Sequence, residues 1–157
     1  LEHYLEGNLA AEERLTGDCL LGQTLSALGD RSGAAKVWGR VEKEADAGSE
    51  CWGEAALALA RLAWQNGANG AALTRLQNAV AAYPAAGWAG DAHWQLATWQ
   101  KARGEVLPAI KAYVAADRTL HDDRRYRAAV LAAATAWAAR RPAWVMPLLS
   151  TSLAEET

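Results

Sequence analysis

Three histidines, two cysteines and scattered carboxylates are the side chains of this 157-residue sequence suited to acid–base, metal or thiol chemistry. His3, His93 and His121 lie far apart, and none has a second His three or four residues away, the spacing that aims two imidazoles at one ion from a helix face. His121-Asp122-Asp123 offers ligand atoms in a row. Consecutive residues rarely converge on one ion, so the run reads as an inter-helix loop and no metal site is expected. Cys19 and Cys51 match neither a zinc spacing nor a C-x-x-C pair. There is no phosphate-binding P-loop, no G-x-S-x-G turn and no Cys set beside a base. Pairs such as Glu12-Glu13 fit a solvated helix face. The expectation is therefore a chain without enzymatic activity and without a cofactor.

Recognition chemistry is better represented. Eight Trp occur with no Phe, and a large apolar ring near a cation is a combination that anchors interfaces. The net charge of −2 gives no reason to expect a nucleic acid or anionic membrane partner. Its distribution is uneven: residues 1–54 hold 11 acids and 5 bases, residues 101–157 hold 9 bases and 6 acids. No run of about 18 apolar residues suggests a transmembrane helix, and no signal peptide is evident. The first residue is Leu1, which suggests a mature or excised chain.

The elements that must position these residues are helical, because the sequence is rich in Ala and poor in β-branched runs. A pattern recurs three times. Leu59-Ala60 is followed by Gly67, Ala72, Leu76, Ala79 and Pro84; Leu21-Gly22 by Gly29, Ala34, Trp38 and Val41; Leu96-Ala97 by Gly104, Ala109, Tyr113 and Ala116. The period is 38 residues from Gly29 to Gly67 and 37 from Gly67 to Gly104. Each Gly suits a left-handed cap ending one helix, and each Ala five residues later lets a second helix lie against the first. Trp38, Leu76 and Tyr113 share the bulky packing slot.

These residues resemble the tetratricopeptide repeat over roughly residues 15 to 120. The resemblance implies an all-α fold, an alpha-alpha superhelix or solenoid of antiparallel helix-turn-helix units. The single domain divides into a preceding helix over 1–14, repeats over 15–48, 49–86 and 87–121, and a degenerate fourth unit over 122–157, where Arg140-Arg141-Pro142 replaces the Gly turn. Thr16-Gly17-Asp18 is expected to break the first helix from the first repeat. Ser49 and Asp91 are expected to cap helices, and Pro108 to fall in a first turn.

The resemblance also implies that first helices line a concave groove. That rule selects Cys19, Gln23 and Ser26, then Leu57, Arg61 and Trp64, then Trp94, Thr98 and Lys101. Gln23, Arg61, Trp64, Trp94, Thr98 and Lys101 form the expected partner-binding set, suited to an extended peptide or a helix. A branch of the family clamps C-terminal carboxylates with Lys and Asn, but Cys19, Gln23 and Asp91 stand in those places, so that activity is not expected.

The leading reading is a protein–protein interaction scaffold. The long linkers, beyond the usual period of about 34 residues, resemble bacterial envelope-assembly and polysaccharide-export repeats, so bacterial periplasm or envelope is the expected compartment, with cytoplasm as the alternative. Two other readings stay open: a glycan-contacting scaffold in which Trp64, Trp94, Trp88 or Trp99 stacks on sugars, and a docking or regulatory appendage of an enzyme in the same polypeptide. Cys19 and Cys51 are expected to be reduced, because one falls mid-helix and the other before the next helix begins.

Overall fold

The structure, a computed structural model, describes residues 2–119. They form six α-helices: α1 (Glu2–Ala27), α2 (Arg31–Glu44), α3 (Glu50–Gln65), α4 (Asn69–Ala82), α5 (Ala89–Ala102) and α6 (Val106–Thr119). No strand occurs among the described residues, and the all-α expectation holds. The chain divides into two compact units, Leu1–Trp88 and Ala89–Thr157. In the first, α1 packs on α2, α2 on α3, α3 on α4, and α1 also touches α3; in the second, α5 packs on α6. The degenerate unit expected over 122–157, with His121 and its two Asp neighbours, lies outside the described residues.

Glycine closes each hairpin. Gly29, Gly67 and Gly104 sit at φ of 78°, 81° and 76°, a region that costs a residue with a Cβ. Behind each runs the same pair of bonds: Gly29, Gly67 and Gly104 N–H donate to Ser26, Trp64 and Lys101 O, while Asp30, Ala68 and Glu105 N–H donate to Leu25, Ala63 and Gln100 O. Carbonyls that a helix end leaves open are thereby satisfied. Asp30 opens α2 by accepting from Gly33 N at 2.9 Å, and Ser49 opens α3 as expected, accepting from Trp52 N at 3.3 Å. Pro108 falls in the first turn of α6.

Two expected boundaries are corrected. Helix α1 runs unbroken through Thr16-Gly17-Asp18. A single helical Gly costs only about 1 kcal/mol, and the segment is held by the Thr16 hydroxyl donating to Glu12 O at 2.9 Å and by Asp18 accepting from Arg40 at 2.8 and 2.5 Å. Helix α5 starts at Ala89, so Asp91 lies in its first turn and is not its cap.

Packing follows the small and bulky slots. Ala34, Ala72, Ala109, Ala60 and Ala97 are buried, and so are Trp38, Leu76 and Tyr113. Sizes compensate: a Cβ on Gly22 would lie 2.6 Å from Trp38 Cε2, so the largest bulky residue meets the smallest partner. The Leu that opens the first copy of the pattern is not covered: Leu21 is 44% exposed.

The cysteines also overturn their expectation, because Cys19 and Cys51 form a disulfide with Cα atoms 6.6 Å apart. Under a 38-residue period, Cys51 corresponds to residue 13, six residues or about 9 Å of helix rise from Cys19. Helices stacked level would hold the pair too far apart. Instead α3 is stepped along α1, as the Gln23 amide donating to Glu54 Oε2 at 3.0 Å independently shows. The step brings the start of α3 to the middle of α1.

A second anchor of the first unit is aromatic. The stretch after α4 folds Trp88 onto α3: its Nε1–H donates to Gly48 O at 3.1 Å, and its ring occupies the space a Cβ on Gly53 would need. Trp52 and Tyr83 complete the cluster at 5.6 and 6.4 Å from the Trp88 ring and 5.2 Å from each other.

Two outcomes are expected. Gly22→Ala lowers stability by about 1–3 kcal/mol through overpacking against Trp38, and the same change costs at least about 1 kcal/mol less in a Trp38→Leu background; denaturant midpoints of the four chains check this. Removing the disulfide with Cys19→Ala/Cys51→Ala lowers stability by about 3–4 kcal/mol, as the entropy of a loop this long implies. Thiol titration of the wild type reads no free thiol until a reductant is added.

Candidate functional site

The groove positions expected from the repeat pattern fall into two groups. In the first unit, Arg61 and Trp64 lie one turn apart on α3, Arg61 exposed and Trp64 half-buried. Gln23 is exposed, but its amide is spent on Glu54 at the α1–α3 seam. Cys19 and Leu57, selected by the same rule, are 7% and 6% exposed and belong to the core. Ser26 is engaged locally, donating to Gly22 O at 2.7 Å and accepting from Trp38 Nε1 at 3.2 Å.

In the second unit, Trp94, Thr98 and Lys101 follow one another on α5 at i, i+4 and i+7, which sets them on one side of the helix. The Trp94 ring is half-buried and meets Tyr113 edge-on at 5.1 Å. Thr98 donates its hydroxyl to Trp94 O at 3.0 Å, and both Thr98 and Lys101 are exposed. An aromatic ring fixed by its neighbours thus lies two turns from an ammonium.

Two Trp proposed for stacking on sugars are removed from that role. Trp88 and Trp99 are 2% and 5% exposed, because each is packed into the interior. Trp64 and Trp94 keep accessible surface.

A further concavity of the first unit is a cleft of about 690 Å³ between α2, α3 and α4. Half-buried Trp52 and Tyr83 line it together with small Ala side chains, and Glu42, Thr74, Arg75 and Asn78 supply polar atoms. Arg75 donates to Glu42 Oε1 at 2.5 Å, which fixes the guanidinium while its other N–H groups remain available as donors. Tyr83 follows Arg75 by eight residues, about 12 Å of helix. An aromatic surface, a guanidinium, an amide and a carboxylate in one cleft can bind a ligand with both an apolar face and hydroxyls or amides. The expected set passed over these residues because the groove rule concerns first helices, whereas Thr74, Arg75, Asn78 and Tyr83 come from the second helix and its end. Their signal in the sequence is the stripe Ala71, Thr74, Arg75, Asn78 and Ala82, which recurs at helical spacing.

Among the described residues no three His, Cys, Asp or Glu side chains gather as metal ligands. His93 on α5 stands half-buried, and that burial holds its imidazole below the ordinary value of 6.5. No protein-family model matches the chain, and no curated protein matches it.

A pH dependence follows from His93. The folded state favours the neutral ring, so its contribution to stability is complete above about pH 6.5, where the unfolded chain is also neutral, and is lost as pH falls toward the lower folded value. Denaturant midpoints should therefore drop more between about pH 7.5 and 5.5 in the wild type than in His93→Gln.

Proposed function

We propose that this chain is a non-catalytic protein-interaction scaffold, a tetratricopeptide-like solenoid that binds a peptide or helix along its first helices. The observation that carries the reading is an aromatic paired with a cation on each of two such helices: Trp64 with Arg61 on α3, and Trp94 with Lys101 on α5. Rings already held by neighbours lose little entropy on binding, and a nearby cation adds orientation, which is how a few residues dominate an interface. Hairpins closed on left-handed glycines at nearly equal spacing agree with a repeat architecture.

The disulfide supports the compartment proposed with this reading. Such bonds persist in oxidising surroundings and are rare where thiols are kept reduced, so a periplasmic or envelope setting fits the Cys19–Cys51 link better than a cytoplasmic one.

The cleft on the other side of α3 favours a second reading, contact with a glycan. Trp52 and Tyr83 offer apolar surface for a sugar face, while Arg75, Asn78 and Glu42 can bond vicinal hydroxyls.

One experiment separates the two. Peptides selected on the wild-type chain from a displayed library should lose at least about tenfold in affinity, near 1.4 kcal/mol, for Arg61→Glu/Trp64→Ala/Lys101→Glu, with circular dichroism unchanged. Equal binding to both chains would refute the first-helix site. In a parallel titration with oligosaccharides, a change in Trp fluorescence abolished by Arg75→Ala/Asn78→Ala would assign the cleft to sugar, and no change in the wild type would reject that reading.

A further inference from the structure

The cleft lined by Trp52 and Tyr83 has a neighbour. A second hollow of about 490 Å³ shares Glu42 and Arg75 with it, so one ion pair lines both concavities. Where the first offers aromatic rings, the second offers cations. Lys36, Arg40 and Lys43 line it from α2 at i, i+4 and i+7, over about 10 Å of helix, and all three are exposed. Gly39 lies between the two lysines on the same stripe, and with nothing near its missing Cβ it leaves the hollow open there.

This gathering of bases runs against its surroundings. Residues 1–54 hold 11 acids and 5 bases, yet three of those five bases line this hollow. The carboxylates beside them are already matched, since Arg75 donates to Glu42, Arg14 to Glu44 and Arg40 to Asp18. The charges left over are those of Lys36 and Lys43, two ammonium groups in a concavity, where field lines are focused. An ammonium has no fixed bonding plane, so the pair accepts anionic groups in varied orientations.

The order of groups along the two hollows selects among anions. A chain of closely set carboxylates would meet Glu42 at the junction and be repelled there. A glycan that mixes neutral and acidic sugars avoids this. Its neutral residue can lie on Trp52 and Tyr83 and give hydroxyl protons to Glu42, while its carboxylate lies on Lys36 and Lys43. We propose that the two hollows form one binding site for an acidic glycan built from both neutral and acidic sugars. The proposal rests on the glycan reading of the aromatic cleft and adds to it the charge of the ligand.

Isothermal titration of the full 157-residue chain tests it with two probes. One is a hyaluronan hexasaccharide, in which glucuronate alternates with N-acetylglucosamine; the other is the same hexasaccharide after its carboxyl groups are reduced to alcohols. At about 50 mM salt, where charges at the surface are weakly screened, the acidic form should bind more tightly by at least about tenfold. Lys36→Gln/Lys43→Gln should lose that preference with circular dichroism unchanged, and raising salt to about 500 mM should shrink it in the wild type. Equal affinity for the two forms, or a preference that survives in the lysine variant, would overturn the proposal and leave the aromatic cleft as a neutral-sugar site. Binding of neither form would overturn it together with the glycan reading. Hexaglutamate binding as tightly as the acidic hexasaccharide would overturn it in favour of an acidic peptide.

Discussion

The fit of the Trp38 ring into the space above Gly22 is the constraint on which the first unit depends. A Cβ at 22 would stand 2.6 Å from the Trp38 ring and push α2 away from α1, and with it the Trp38 Nε1–H that reaches Ser26. That approach also sets the lengthwise register, because Arg40 then meets Asp18 and Arg14 meets Glu44. Val37, Trp38 and Val41 are left as one continuous surface, and α3 packs on it. A missing Cβ thus governs where three helices lie.

Much of the interior is alanine, and this changes where stability must come from. A buried methyl contributes roughly 0.8 kcal/mol, against about 1.5–3 for a large aliphatic or aromatic side chain. Fixing each residue's backbone costs about 1–2 kcal/mol, so helices packed through Ala alone gain little margin. The first unit concentrates its gain at Trp38, Leu76 and the Trp52–Tyr83–Trp88 cluster, and adds a covalent link between α1 and α3. Small residues bring the helices close, and a few large rings and one disulfide hold them there.

What was legible in the sequence follows from this division. Gly29, Gly67 and Gly104 could be read because the left-handed turn is a property of the residue type itself, and the Ala and bulky slots could be read because spacing along a helix fixes its face. The Cys19–Cys51 bond could not, since it depends on the axial step between helices, which a repeat period does not encode. Trp88 was hidden for another reason: it lies in a connecting stretch outside the repeated pattern, and only the absence of a Cβ at Gly53 reveals its place. Of the expected binding residues, Arg61 and Trp64 could be placed on α3, and Trp94, Thr98 and Lys101 on α5, from helical spacing alone. Gln23 was assigned correctly to its helix, yet its use at the seam with Glu54 depends on the same step.

That step also explains why α1 is 26 residues long where its partners have 14 and 16. The pairs Asp18–Arg40 and Arg14–Glu44 show that α2 ends alongside residue 14 of α1. The pairs Cys19–Cys51 and Gln23–Glu54 show that α3 begins near residue 18. The turns of α1 before residue 14 therefore have neither α2 nor α3 beside them, and Ala10, Ala11, Glu12 and Glu13 are all exposed. An isolated helix end of that length is marginal by propensity alone. Here it continues a helix clamped farther along by two ion pairs and a disulfide, so its nucleus is already formed and each added residue needs only propagation. The expected preceding helix over 1–14 and the first repeat helix are one rod for this reason, and the cost of Gly17 is small beside that of starting a second nucleus.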